Sequence, residues 1–225
     1  MTPTRATPTY ATASRATPVA ALLAALVLLL ATTLAGPASA DLTVNGDAAA
    51  WREVTAAYQK LGALSGYRMK AAMPQGSMVV EVVPATGAMH STMQMQNGGA
   101  EFIVVGGQSR MRTTASGSPS GWRCVNAPQI PRMSDPTAFQ GTVDVARAPD
   151  AAIDGEPMHV YVYTVQGAGG GQMGGAAIKN TLYVGAANSL PRRVVLATPR
   201  GDQAIDYYDY GAAIQITLPP CASGS

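Results

Sequence analysis

The hydrophobic period of this chain changes once, and that change limits the possible folds more than any other feature. In NGDAAAWREVTAAYQKLGALSG, starting at Asn45, the residues Trp51, Val54, Tyr58 and Leu61 fall at helical spacing. Arg52, Glu53 and Lys60 lie off that stripe, Asp47 stands where an N-cap belongs, and Gly62 is placed to stop the helix. From Tyr67 the period becomes two. Tyr67, Met69, Ala71 and Met73 alternate with Arg68 and Lys70, and Met78, Val80 and Val82 oppose Val79, Glu81 and Val83. Turn signals separate these runs at Pro74-Gln75-Gly76, Pro84 to Gly87, Asn97-Gly98-Gly99 and Gly106-Gly107. One amphipathic helix followed by short alternating runs predicts a mostly β, α+β domain whose antiparallel meander has one wet face.

The middle of the chain, residues 113–141, holds four prolines and little periodicity, and reads as a long connection or lid with one short helix. Strand-like runs then resume as TVDVARA, MHVYVYTV, NTLYVGA, RRVVLATP, QAIDYYDYG and AAIQITL. QGAGGGQMGGAA between two of them reads as a flexible hairpin tip, and Asp206 to Asp209, DYYD, as a solvated strand edge. The total comes to roughly nine to eleven strands.

The alternation also sorts the methionines. The chain has 11 methionines against two phenylalanines. Met69 and Met73, Met78, then Met89, Met93 and Met95, then Met111 alternate onto like faces of successive strands. If those strands are neighbours, one side of the sheet is rich in methionine. Flexible, polarizable thioethers refit to variable apolar guests, and acyl chains are the natural guest. Methionine standing in for Leu and Phe in an ordinary core is the alternative. The candidate lining of an apolar groove between helix and sheet is Trp51, Val54, Tyr58, Met69, Met93, Met95 and Met111.

Arg5 and Arg15 precede an uncharged apolar run from Val19 to Ala35, and Ala38-Ser39-Ala40 follows. That order predicts a secretory signal over residues 1–40 and one domain over 41–225, with an uncleaved anchor as the alternative. Export makes the chain periplasmic or extracellular. Loss of Arg5 and Arg15 leaves 13 acidic residues and as many basic ones, so the remaining chain is neutral and has no electrostatic pull toward nucleic acid. Two cysteines, Cys124 and Cys221, in an exported chain favour a disulfide over two buried thiols.

Little in the sequence speaks for catalysis. His90 and His159 fall on the more polar sides of their strands, and no G-x-S-x-G, H-E-x-x-H or S-x-x-K is present. The cysteines lack neighbouring ligand residues, so no metal site and no cofactor are expected.

The C-terminal run combines Ser189-Leu190-Pro191-Arg192-Arg193, then Tyr208-Asp209-Tyr210-Gly211, then Ile214 to Cys221 ending at Pro219-Pro220. With the signal-like start and the early helix, this pattern resembles the LolA-like superfamily, which includes periplasmic lipoprotein carriers and LppX-type mycobacterial lipoproteins. The resemblance implies an open antiparallel half-barrel wrapped around the N-terminal helix and a short helical or irregular insertion, with a cavity for lipid. It also implies an exported, non-catalytic protein that holds lipid or lipoprotein acyl chains and exchanges them with a membrane-bound delivery partner. The alternative is an envelope sensor or protein-interaction module on the same fold. The chain lacks the lipidated cysteine of LppX-type members, and no cavity arginine of the carrier type can be placed.

Overall fold

A computed structural model describes residues 42–73, 75–115, 117–126, 141–166, 178–199 and 201–222. The predicted signal, the greater part of the predicted insertion and the glycine-rich tip lie outside these residues.

The helix, α1, spans Ala48–Gly62. Asp47 keeps extended backbone, and its carboxylate accepts from the backbone N–H groups of Ala49 and Ala50 at 2.9 and 3.0 Å. Those are donors that the first helical turn cannot satisfy internally. The helix runs through Gly62 and ends one residue beyond the expected stop, where Ala63 N–H donates to the carbonyls of Gln59 and Lys60. Its buried stripe is Ala50, Trp51, Val54, Ala57, Tyr58 and Leu61.

The strands are β1 (Thr43–Gly46), β2 (Tyr67–Met73), β3 (Gly76–Val83), β4 (Ala88–Met95), β5 (Gly98–Val105), β6 (Gln108–Ala115), β7 (Ser118–Pro119), β8 (Arg123–Val125), β9 (Thr142–Ile153), β10 (Glu156–Gln166), β11 (Ile178–Gly185), β12 (Pro191–Thr198) and β13 (Gly201–Tyr208). They form one sheet in the order β1-β9-β10-β11-β12-β13-β2-β3-β4-β5-β6-β7, with β8 also on β6. The two ends of that order do not meet, so the sheet is open. Two antiparallel meanders, β2 to β8 and β9 to β13, are joined where β13 pairs with β2 from Tyr208 opposite Arg68 to Ile205 opposite Ala71. Only β1 runs parallel to its neighbour, β9.

Three sequence expectations need correction. Residues Asp206 to Asp209 are not a sheet edge: β13 lies inside the sheet between β12 and β2, and Tyr207 is buried. A sheet-interior position was not legible because the partner of β13 is more than a hundred residues away in sequence. Part of the supposed insertion is sheet, since β7 and β8 both pair with β6. Ile214 to Cys221, expected as a last strand, joins no ladder. Its hydrogen bonds go elsewhere: Ile214 N–H donates to Ala212 O, Pro219 O accepts from Arg110 Nε at 3.1 Å, and Ala222 N–H donates to Trp122 O. Pro219 and Pro220 have no N–H to give a ladder.

This C-terminal segment is a strap. It starts beside Gly66, whose carbonyl accepts from Gly211 N–H at 2.8 Å. A Cβ at Gly66 would stand 2.7 Å from Ala212 O, so only glycine permits that approach. The strap ends at the other margin of the meander, where Cys221 is disulfide-bonded to Cys124 of β8. Tyr210 anchors its start by donating to the carbonyls of Pro191 and Tyr207 at 2.5 and 2.9 Å.

Candidate ligand-binding face

Strand register fixes which side chains share a face, because residues directly opposite in an antiparallel ladder point the same way. One row runs Ile205, Ala71, Met78, Met93, Ala100, Thr113. The next runs Tyr207, Met69, Val80, Ser91, Phe102, Met111. A third runs Tyr67, Val82, Met89, Val104, Ser109, and a fourth begins Met73, Gly76, Met95. Seven methionines, Met69, Met73, Met78, Met89, Met93, Met95 and Met111, therefore share one face of β2 to β6. That face continues across the second meander through Ile205, Val194, Leu182 and Tyr161. The helix lies on it too: the Trp51 and Tyr163 rings meet edge-on, with centroids 5.8 Å apart.

The opposite face of the first meander is ionic. Arg68 pairs with Glu81 at 2.8 Å and with Asp209 at 2.9 Å. His90 stands between Glu81 and Glu101 at 3.4 and 3.3 Å, and Glu101 pairs with Arg112 at 2.6 Å. The Arg112 guanidinium lies 4.5 Å from the centre of the Trp122 ring. Water can reach this side, so its charges need not be desolvated. The two faces thus have opposite chemistry on the same strands.

The helix packs against β1, β9 and β12, over the second meander rather than centrally. Its Trp51, Val54 and Tyr58 join Met69, Met78 and Met89 in one buried core with Val143, Val145, Tyr161 and Tyr163. Met111 packs half-buried at the margin of that core. Met93 forms a separate cluster with Ala100, flanked by Met73 and Met95. The structure therefore divides the seven predicted lining residues between two places. The helical stripe showed which side of α1 is buried but not which meander it covers, because that choice depends on contacts between β9 and β1 that no local pattern encodes.

A buried tyrosine group went unnoticed in the sequence. Tyr58 and Tyr163 bring their hydroxyls to 3.5 Å, and the Tyr67 and Tyr207 rings lie 6.1 Å apart. Burial pushes the Tyr163 hydroxyl up to about 12 and raises Tyr58, Tyr67 and Tyr207 well above the usual phenol. These phenols stay neutral and add hydroxyls to an otherwise hydrocarbon interior. The available signal was alternation: Tyr161 and Tyr163 share parity in YVYTV, and Tyr207 shares it with Ile205.

At the rim of the helix, Tyr161 donates its hydroxyl to Glu53, which Arg147 also meets at 3.5 Å. Arg147 lowers the Asp150 carboxyl below its ordinary value, with His159 adding to the effect. Both histidines are thus engaged with carboxylates on polar surface. Among the described residues, no group of three or more His, Cys, Asp and Glu is placed to hold a metal ion. None of their helices is long and apolar enough to cross a membrane.

No family model matches the sequence, and no curated protein does either. Solved structures do match the fold. The lipoprotein LppX from Mycobacterium tuberculosis is 14% identical with a TM-score of 0.56, over 76% of this chain and 100% of that one. LprF from Mycobacterium bovis is 16% identical with a TM-score of 0.53, over 78% of this chain and 99% of that one.

Proposed function

Starting from a chain that has the LolA/LppX-like fold, we propose that it is an exported binding protein that holds lipid acyl chains against its methionine face. The observation that carries this reading is the register itself, which gathers seven methionines on one side of five consecutive strands. The centre of the face is covered in this structure, with Met69 1% and Met93 3% exposed, while Met73, Met95 and Met111 at its margins are half-buried. An entering chain displaces thioether side chains, which have low-cost alternative rotamers, and leaves the stiffer Val80, Phe102 and Val104 between them in place. Each methylene that it buries contributes about 0.8 kcal/mol, so a long chain can be held by area alone. No catalytic step is part of this reading.

The disulfide between Cys124 and Cys221 belongs in an oxidising compartment, which supports export. On this reading residues 1–40 are removed and 41–225 form one domain. Its partners are lipid or acylated lipoprotein, passed on to a membrane-bound acceptor. Protein purified from its host without detergent is expected to carry lipid, seen by mass spectrometry of an organic extract. Stripped protein is expected to bind a fluorescent fatty acid that unlabelled lipid displaces. Absence of both, with a protein partner retained instead, would replace this reading with an envelope sensor or interaction module.

A further inference from the structure

Ser109 of β6 points its side chain at the methionine face, opposite Val104 of β5 and Val125 of β8. Met89, Val82 and Tyr67 continue that row. Ser109 is 1% exposed, and its Oγ is the one buried side-chain polar atom among the described residues with no hydrogen-bond partner. A hydroxyl removed from water without a partner destabilises the fold, whereas alanine there would not. Its neighbours give no packing reason for a hydroxyl.

We infer that Ser109 is the polar recognition point of this face, and that the guest carries a neutral acceptor oxygen, an ester carbonyl, where its chain crosses β6. The inference rests on the acyl-binding reading above. Ser109 Oγ donates to the carbonyl, and the bond offsets the desolvation of both groups. A free carboxylate is the wrong partner. Val104 and Val125, directly opposite Ser109, supply no counter-charge; Arg123 of β8 shares the face one row away, opposite Met111, but is exposed at its margin, and burying an unpaired ion costs far more than burying an ester. The adjacent guanidinium, Arg110, is committed elsewhere, to Pro219 O at 3.1 Å, Gln108 Oε1 at 3.1 Å and the Ser109 carbonyl at 2.9 Å.

The test loads lipid-stripped wild type and Ser109→Ala from dodecyl maltoside micelles with methyl hexadecanoate, octadecane or hexadecanoate. Bound lipid is measured after gel filtration by gas chromatography and mass spectrometry, and stability without lipid by denaturant titration. Wild type should prefer the methyl ester to octadecane by about tenfold, a difference of the size expected for one buried hydrogen bond. It should also prefer the ester to hexadecanoate. Ser109→Ala should lose the ester preference, keep octadecane binding, and unfold at an equal or higher denaturant midpoint. Equal uptake of ester and alkane by wild type, tighter binding of hexadecanoate, a preference that survives in Ser109→Ala, or a lower midpoint for that variant would each overturn the inference while leaving acyl binding intact. Uptake of none of the three would overturn the acyl-binding reading and this inference with it.

Discussion

Replacing Cys124 and Cys221 together with serine is expected to lower the unfolding free energy by about 4–5 kcal/mol, as an upper figure. The bridge spans a sequence separation of 97 residues, so cutting it releases a long loop in the unfolded chain. Its Cα atoms stand 5.5 Å apart, an ordinary spacing that asks nothing of the backbone. The folded state loses something as well. The strap is held at its far end by the bridge, by Arg110 on Pro219 O and by Ala222 N–H on Trp122 O. Freed of the bridge, Ala222 N–H should exchange with solvent far faster, while the amides of β2 to β5 stay protected in their ladders. A loss below about 1 kcal/mol in guanidinium titration would show that the bridge closes no entropically costly loop.

Alkaline unfolding should be steep and should begin above pH 10. Tyr163 titrates at about 12 in the fold, raised first by burial, and Tyr58 and Tyr207 are raised in the same direction for the same first cause. An unfolded tyrosine titrates near 10. Stability from the neutral phenols is therefore complete below pH 10 and is lost as pH climbs from 10 through 12. For Tyr163 alone the loss is about 2 kcal/mol by pH 12. Tyr58 and Tyr207 lie in the same core and add to it. Absorbance at 295 nm should show these phenols ionising together with the loss of far-ultraviolet circular dichroism. Ionisation of all tyrosines near pH 10 with the fold intact would contradict the burial described for this core.

What the sequence disclosed was the local part of the fold. Asp47 announced the helix start, and the period of two announced β2 to β6 with their methionines on one side, because cap and pleat are properties of neighbouring residues. The disulfide followed from cysteine count and the signal-like start read in the sequence. What stayed hidden depended on long-range partners. The pairing of β13 with β2 joins residues near position 206 to residues near 70, and no pattern inside DYYD marks it as interior. AAIQITL alternates like a strand, and its half-burial alternates too, yet it crosses to the disulfide as a strap instead of joining the ladder. The same limit split the proposed lining. Trp51, Val54 and Tyr58 went to the second meander, and Met93 and Met95 kept their own cluster. Ser109 shares the parity of Met111, so its side was legible, but its lack of a hydrogen-bond partner was not, because that depends on Val104 and Val125 opposite it.

The most direct test of the methionine face is carbon-13 NMR of protein labelled at the methionine methyls and titrated with methyl hexadecanoate. The account predicts that Met69, Met73, Met78, Met89, Met93, Met95 and Met111 shift together and saturably. Met158, which stands on the other side of the sheet beside Gly185 and Ala151, should stay where it is. Saturable binding that moves Met158 and leaves those seven unchanged would contradict it.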